Sequence, residues 1–272
     1  MSAAESNKDR DLVVGLGATG LSIARYLQRN DANAIFYDSR EEPPGLDELE
    51  ALFDGPELHL ANERMPKGVT RVIASPGVPE SNKLLKKARK KKLEVISDIE
   101  LFARAAEAPF IAVTGSNGKS TVTTLLYHMC RAAGKETLAG GNLGMPALDL
   151  LAEETPDIYV LELSSFQLQR TLSLPAEVAL LLNISPDHLD WHTNEDEYRE
   201  SKYRIFREAH AAVVNRADEI AIERSAHCGR VISFGLDAPE DGHYGIREEE
   251  GDKYLARGDV LLLAVRDLAL YG

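Results

Sequence analysis

The chain has 272 residues, of which 44% are hydrophobic, and a formal net charge of −13 at pH 7. This length and apolar content suffice for two ordinary hydrophobic cores, so we expect a globular protein with two domains. The acidic balance argues against a nucleic-acid partner, because a phosphate backbone requires a basic surface. The two cysteines are too few for a disulfide framework, and no apolar run reaches the ~18 residues of a membrane-spanning helix. The sequence therefore predicts a cytoplasmic protein without a membrane partner.

The first part of the chain reads as a unit of strand, glycine turn, helix and strand. An apolar run at 11–17 enters a glycine turn, and the residues after it have helical spacing as far as Asn30. A second strand is expected at 34–38. This order is typical of a βαβ unit, the element of a parallel sheet covered by helices.

The pattern continues with strands at 71–77 and 93–97, separated by a helix over roughly 81–92. The basic run KKARKKK at 86–92 falls on that helix, where a lysine-rich run is usually a solvated face rather than a nucleic-acid patch. We place a domain boundary near Ser97, because the strand-turn-helix order starts again after it.

The second unit begins with a helix at 98–108 and a strand at 110–114. A glycine loop then opens a helix that Gly134 ends and whose apolar positions recur at helical intervals: Val122, Leu125, Leu126, Met129 and Ala133. Further strands are predicted at 158–164, 178–184, 211–215 and 231–235, with antiparallel strands over 252–272. The predicted fold is α/β, with a Rossmann-like parallel-sheet domain at 1–97 and a P-loop-type α/β domain at 98–272.

Residues 113–121 read VTGSNGKST, a glycine-punctuated turn closed by a lysine and two hydroxyls. Such a loop binds phosphate because successive backbone N–H groups point inward at the start of a helix, where the lysine meets the terminal phosphates. The longer P-loop pattern requires glycine where this chain has Val113, so the match is to the shorter form G-x-x-G-K-S. Its place between an apolar strand and a patterned helix favours a nucleoside triphosphate site over an ordinary turn. Lys119 would hold the β- and γ-phosphates.

Two later stretches carry groups suited to metal-assisted phosphoryl transfer. Glu162 ends an apolar strand, and Asp187, His188 and Asp190 follow another. Either stretch alone is more typical of caps and turns, but beside a phosphate loop both favour a Mg²⁺ site. The histidine indicates a second metal or a substrate contact. By spacing alone, Lys202 reads as an ordinary lysine on a helix surface.

The glycine loop at 15–20 has its own interpretation. Gly15, Gly17 and Gly20 follow the pattern G-x-G-x-x-G, and Asp38 lies 18 residues beyond the last of them. Taken alone, this pattern indicates a dinucleotide site and hence a nicotinamide-dependent oxidoreductase.

Several motifs along the whole chain, in the same order, resemble the Mur ligase family, and closely its members that add D-glutamate. They are GLGATGLS, SPGVP, VTGSNGKSTVTTL, GGNLG, VLELSSFQL, NISPDHLDWH and YRESKYRIF. LELSSFQL is the most discriminating, because sister ligases for other amino acids have different residues after that glutamate. The resemblance implies a monomeric, ATP-dependent ligase of peptidoglycan precursor synthesis. Its substrates would be UDP-N-acetylmuramoyl-L-alanine, D-glutamate and ATP, and the reaction would pass through an acyl phosphate.

The resemblance also implies roles for individual residues. The ATP-binding residues would be Gly115, Ser116, Asn117, Gly118, Lys119, Ser120 and Thr121. The catalytic residues would be Lys119, Glu162, His188 and Lys202. Two Mg²⁺ ions would be held by Ser120, Thr121, Glu162, His188 and Lys202, the last carrying a carbamate formed with CO₂. The UDP-linked substrate would contact Ala18, Thr19, Asp38, Ser39, Arg40, Gly77 and Asn142, which reassigns the first glycine loop from a dinucleotide to UDP.

The resemblance covers only the first part of a typical family member. Family members continue with a His-Asn motif, the last helices of the ATP domain and a third domain that carries the D-glutamate site, whereas this chain stops at Gly272. We therefore expect a truncated chain that binds the UDP precursor with little or no ligase turnover. The alternatives are a nicotinamide-dependent oxidoreductase and a noncatalytic module that binds a UDP-sugar.

Overall fold

Two β-sheets, one on each side of residue 97, organise the chain in this computed structural model, which describes residues 10–185 and 194–268. The first sheet has the strand order β3-β2-β1-β4-β5, and all its neighbouring strands are parallel. Its strands are β1 (Arg10–Val14), β2 (Asn33–Asp38), β3 (Glu57–Leu60), β4 (Arg71–Ala74) and β5 (Glu94–Ile96). The helices of this part are α1 (Ala18–Arg29), α2 (Leu46–Leu52) and α3 (Lys83–Lys90).

The second sheet has nine strands in the order β14-β13-β12-β11-β10-β9-β6-β8-β7. Its strands are β6 (Phe110–Thr114), β7 (Thr137–Gly141), β8 (Ile158–Glu162), β9 (Val178–Leu181), β10 (Ala211–Asn215), β11 (Arg230–Phe234), β12 (Tyr244–Glu249), β13 (Asp252–Arg257) and β14 (Val260–Ala264). The helices are α4 (Asp98–Ala105), α5 (Lys119–Ala132), α6 (Ala147–Leu150), α7 (Ser165–Leu168), α8 (Glu195–Tyr203) and α9 (Glu219–Ser225). Neighbouring strands are parallel throughout the part of the sheet with the order β12-β11-β10-β9-β6-β8-β7. Next to β12, the strands β13 and β14 extend the sheet with antiparallel pairing.

The predicted α/β fold with parallel sheets is confirmed, as are the predicted antiparallel strands near the end of the described chain. Asn30 ends α1 as predicted, and the basic run of α3 faces solvent while Leu84, Leu85 and Ala88 are buried. The sequence did not predict the strands β3, β7 and β12. In β7, the sequence TLAGG carries two glycines, and β12 is half charged, so neither has the apolar alternation that marks a strand.

The helix α5 buries a different face from the one that its apolar positions predict. Leu125 and Met129 are 48% and 57% exposed, and Thr123 is the buried residue of this helix. The reason is that α5 packs on β6, β7 and β8 with the side that carries Thr123. The side chains of Leu125 and Met129, which the apolar spacing predicts to be buried, therefore point away from these strands.

One hydrophobic core joins the two parts of the chain. Leu27 of α1, Phe102 of α4 and Leu148 of α6 belong to the same buried cluster as Tyr159 of β8. The ring of Phe102 meets that of Tyr159 edge to face, with centroids 5.2 Å apart. The two sheets are thus distinct, but the side chains that bury their facing layers are shared.

Candidate functional site

A cavity of about 390 Å³ lies at the carboxyl ends of β1, β2 and β4. In an open parallel sheet this edge is where ligands bind, because the turns after the strands leave a crevice there. The lining includes six of the seven residues predicted to bind the UDP-linked substrate: Ala18, Thr19, Asp38, Ser39, Arg40 and Gly77. The structure therefore brings these six residues, which lie far apart in the sequence, to a single cavity.

The glycines of the first loop are needed for different structural reasons. Gly15 has φ +94°, in the left-handed region, and a Cβ there would lie 2.8 Å from a methyl carbon of Val78. A Cβ on Gly20 would overlap the carbonyl oxygen of Gly15, so this glycine permits the helix to pack on the turn. Gly17 lies at the N-terminus of α1, and a Cβ there would meet no protein atom within 4 Å. The open side of the loop thus faces the cavity.

Asp38 fixes the shape of this loop from the end of β2. Its carboxylate accepts a hydrogen bond from the backbone N–H of Leu16 at 2.8 Å and two from the guanidinium of Arg40, each 2.8 Å. Burial acts to raise the pKa of Asp38, but the hydrogen bonds from Arg40 and Leu16 outweigh it and hold the pKa below its ordinary value. Asp38 is therefore an anion that binds the loop and Arg40 together at the cavity wall.

The second glycine loop joins β6 to α5 in the geometry expected of a phosphate site. Gly118 has φ +79° and immediately precedes the first residue of α5, so the following backbone N–H groups lie at a helix N-terminus. Lys119 folds back over the loop, its Nζ donating to the carbonyl oxygen of Ser116 at 2.9 Å. Four residues of the predicted ATP site are exposed to an entering ligand: Asn117, Gly118, Ser120 and Thr121.

The loop is held by the segment that follows β9. Ser116 Oγ accepts from the backbone N–H of Ser185 at 2.9 Å and lies 2.7 Å from the hydroxyl of Tyr198. Asn117 and Asn183 exchange hydrogen bonds, with the Asn117 N–H donating at 2.9 Å and the Asn183 amide donating at 3.1 Å. Sequence reasoning missed Asn183 and Tyr198. Asn183 had a signal, since it directly follows an apolar strand beside the phosphate loop.

Lys202 lies on α8 and is 2% exposed, so the interpretation of it as a surface lysine is wrong. Its Nζ donates to the carbonyl oxygen of Gly115 at 2.8 Å and lies 4.8 Å from the ring centroid of Tyr198. Spacing could not show this, because α8 carries polar residues on every side and gives no apolar stripe. The structure places the amine at the base of the phosphate loop.

Glu162 ends β8 beside the same loop, directly opposite Val113 in the sheet. It is 2% exposed, and its Oε1 accepts from the side-chain amide of Asn142 at 2.6 Å. Its Oε2 is buried without a hydrogen-bond partner among the described residues. A buried carboxylate oxygen left in this state is costly unless a ligand or cation meets it, so Glu162 fits a Mg²⁺ ion.

The other predicted metal ligands are only partly described. His188 lies outside the described residues, as do Asp187 and Asp190. Within residues 10–185 and 194–268, no three His, Cys, Asp or Glu side chains form a metal cluster. The carboxylate of Glu162, the hydroxyls at the start of α5 and the phosphates of a nucleotide would together supply the oxygen ligands that Mg²⁺ prefers.

Asn142 lies beside Glu162 and is absent from the lining of the cavity of the first sheet. The glycine before it explains this position. Gly141 has φ +102°, and a Cβ there would overlap the carbonyl oxygen of Glu162. The GGNLG turn is therefore pressed against Glu162, and the contact of Asn142 with the substrate stays a prediction.

The architecture is that of an α/β protein with two glycine loops, each at the N-terminus of a helix, and comparison with known proteins gives its family. Residues 113–260 match the Mur ligase middle domain, and residues 9–97 match the N-terminal domain of the MurD-like Mur ligases. The chain belongs to the Mur ligase family.

Its relatives include two UDP-N-acetylmuramoylalanine–D-glutamate ligases. The protein from Legionella pneumophila strain Paris is 45% identical over 267 residues, which are 96% of this chain and 60% of that protein. The protein from Methylobacillus flagellatus is 44% identical over 271 residues, with 97% and 60% coverage. The chain thus spans about 60% of the length of the curated relatives it matches.

Solved structures share the fold. The UDP-N-acetylmuramate:L-alanyl-gamma-D-glutamyl-meso-diaminopimelate ligase from Neisseria meningitides superposes with a TM-score of 0.54 at 14% identity, covering 92% of this chain and 84% of its own. The UDP-N-acetylmuramate-alanine ligase from Thermotoga maritima superposes with a TM-score of 0.52 at 18% identity, covering 94% and 60%. Among the described residues, no helix combines the length and apolar character needed to cross a bilayer.

Proposed function

We propose that this chain belongs to an ATP-dependent ligase that joins D-glutamate to UDP-N-acetylmuramoyl-L-alanine. The observation that carries the proposal is the buried Oε2 of Glu162, which has no hydrogen-bond partner among the described residues and lies beside a phosphate loop. The relatives that support it are ligases of this name, 44–45% identical to the chain. A cytoplasmic location and a monomeric state are part of the same proposal.

Each site would hold one substrate. The cavity beside Asp38 and Arg40 would take the UDP end of the precursor, with the diphosphate at the N-terminus of α1, where backbone N–H groups and the helix dipole favour an anion. The loop before α5 would take ATP, with Lys119 turning from the Ser116 carbonyl to the β- and γ-phosphates. The alanine carboxylate would then attack the γ-phosphorus, forming an acyl phosphate and releasing ADP. The amine of D-glutamate would attack the acyl carbon, forming the amide bond as the C–O bond breaks, and inorganic phosphate would leave with the proton of the amine.

The residues around the phosphate loop would position the charges of this transfer. Bound Mg²⁺ would neutralise phosphate charge, at two sites that Glu162, His188 and Lys202 would help to form together with the hydroxyls of Ser120 and Thr121. The amide of Asn142 orients the Glu162 carboxylate, whose second oxygen has no hydrogen-bond partner in the described part of the chain. The Nζ of Lys202 would attack CO₂ and form an N–C bond; starting from the ammonium, two protons would leave to solvent, and the product would be a two-oxygen carbamate anion at the Gly115 end of the loop.

Calorimetric titration with UDP-N-acetylmuramoyl-L-alanine tests the proposal. We expect the chain to bind this ligand and Asp38→Asn to bind it more weakly, because the anion that holds Leu16 and Arg40 is lost. Asp11→Asn is a matched control: Asp11 is also a buried carboxylate in the first sheet with a bidentate arginine, Arg71, but it lies at the opposite strand end. Binding of NAD in place of the UDP ligand would refute the ligase assignment.

A further inference from the structure

Arg170 is a buried arginine that crosses between the two parts of the chain. It follows α7, and its side chain is 1% exposed. Its Nε donates to Glu80 Oε1 at 2.8 Å, its Nη1 donates to the carbonyl oxygen of Ser75 at 3.2 Å, and its Nη2 donates to that of Val78. The planar guanidinium therefore donates all three of these hydrogen bonds to one short turn of the first domain, between Ser75 and Glu80.

That turn forms one wall of the UDP cavity. Residues 75–79 all line the cavity. The turn is closed by a hydrogen bond from the Val78 N–H to the Ser75 carbonyl at 3.0 Å, so this carbonyl accepts from both Val78 and Arg170. Ser75 Oγ in turn donates to the carbonyl oxygen of Gly15 at 2.8 Å. Arg170 thus supports the turn from behind, and the turn supports the first glycine loop.

The other end of the segment that carries Arg170 is the Glu162 site. Between them, Ser164 and Gln167 form a capping box that fixes α7. Gln167 donates to the buried carboxyl of Asp98 at 3.1 Å, and the Ser97 N–H donates to the carbonyl oxygen of Arg170 at 3.1 Å. The segment 162–171 is therefore anchored at the domain boundary, with a carboxylate of the phosphate site at one end and a support of the UDP cavity at the other.

We propose that Arg170 is a positioning residue for the UDP-linked substrate, which holds the 75–79 turn in its binding shape and ties that shape to the segment bearing Glu162. The proposal rests on the proposed function for the identity of the ligand. Two hydrogen bonds from one buried side chain to the cavity wall, with a third to the adjacent Glu80, are a supporting shell of the kind that fixes a site to within fractions of an ångström. A role in stability alone would not require two of the three acceptors to be backbone groups of the cavity wall.

The test compares Arg170→Ala with Arg25→Ala. Arg25 of α1 also forms an ion pair across the two parts of the chain, with Asp149 of α6, but it does not line the cavity. Both variants are titrated with UDP-N-acetylmuramoyl-L-alanine and with Mg·ADP, below the melting temperature of each. We expect Arg170→Ala to raise the dissociation constant of the UDP ligand about tenfold, with Mg·ADP affinity unchanged and Arg25→Ala equal to the wild type for both ligands.

Arg170→Lys keeps the charge beside Glu80 but cannot reach three acceptors, so we expect it to remain at least about threefold weaker than the wild type. This variant carries the test if Arg170→Ala does not fold. Wild-type affinity for the UDP ligand in Arg170→Ala or in Arg170→Lys, or an equal loss in Arg25→Ala, would overturn the inference. Failure of the unsubstituted chain to bind the UDP ligand would instead refute the proposed function.

Discussion

At the scale of single residues, Glu162 and Asp98 are two buried carboxyl groups near α7 that lie in different surroundings. Glu162 accepts a hydrogen bond from the amide of Asn142, Asp98 accepts one from the amide of Gln167, and each has a second oxygen without a hydrogen-bond partner among the described residues. Desolvation raises the pKa of Asp98 to about 6, even though the Gln167 hydrogen bond opposes the shift. Glu162 lies beside the phosphate loop, where a cation can meet its carboxyl, whereas the raised pKa of Asp98 favours a bound proton.

We expect Glu162→Gln to lower the Mg²⁺-dependent affinity for ADP by roughly tenfold to a hundredfold, the range seen when a group supporting a metal site is lost. The amide keeps the shape of the side chain but removes the charge that would meet the cation. Calorimetric titration with ADP in the presence and absence of Mg²⁺ measures this. Glu100→Gln is the matched control, because Glu100 is equally buried but accepts from Leu172 and Ser173, away from the loop. Full Mg²⁺ dependence in Glu162→Gln would contradict the metal assignment.

Asp98 also makes stability depend on pH. Between the ordinary value of 3.8 and about 6, the folded state keeps a proton that the unfolded chain has released. The contribution of Asp98 to the free energy of unfolding therefore falls as the pH rises through this window, and above it the buried charge reduces stability.

We expect Asp98→Asn to be more favourable relative to the wild type at pH 7 than at pH 4, because the amide cannot ionise. Thermal unfolding of both proteins at a series of pH values gives the comparison. A difference in melting temperature that stays constant from pH 4 to pH 7 would show that Asp98 does not titrate in this window.

At the scale of elements, the first glycine loop contains one glycine that packing requires, Gly20, and one that faces the cavity, Gly17. We expect Gly20→Ala to lower the free energy of unfolding by about 3 kcal/mol or more, because its Cβ would overlap the Gly15 carbonyl. Gly17→Ala should cost no more than about 1 kcal/mol as a change at a helix N-cap, yet weaken binding of the UDP ligand, because its methyl enters the cavity. Denaturant unfolding and calorimetry distinguish the two. Similar stability losses in both variants would contradict this division.

The elements also show what the sequence could reveal. Strands such as β6 and β10 could be predicted to the residue, because an apolar run ends at a turn signal. The position of the glycine loops also followed from their spacing. The burial of Lys202 did not, because it results from the packing of α8 against the loop and not from any pattern within α8. Arg170 had no signal either, since its acceptors lie about 90 residues away in the sequence.

At the scale of the whole molecule, the shared core predicts that the two sheets unfold together. The cluster that contains Leu27 and Phe36 of the first sheet's layer also contains Leu148 and Leu161 of the second. Separating the two parts would expose this apolar surface, at roughly 25 cal/mol for each Å². We expect a single calorimetric transition whose van't Hoff and calorimetric enthalpies agree. Two resolved transitions would show that residues 10–97 and 98–268 fold as independent units.

The helix α5 carries the phosphate loop yet buries only Thr123, so it is held to the sheet more weakly than a core helix of its length. Local opening of such an element requires less free energy than global unfolding, and its backbone amides should exchange with solvent early. A nucleotide bound at its first turn would stabilise the closed form by mass action. Hydrogen exchange should therefore slow along α5 when Mg·ADP is added, while the amides of β1 and β4 stay unchanged. The nucleotide would then be part of what keeps α5 folded, and equal exchange with and without Mg·ADP would refute this.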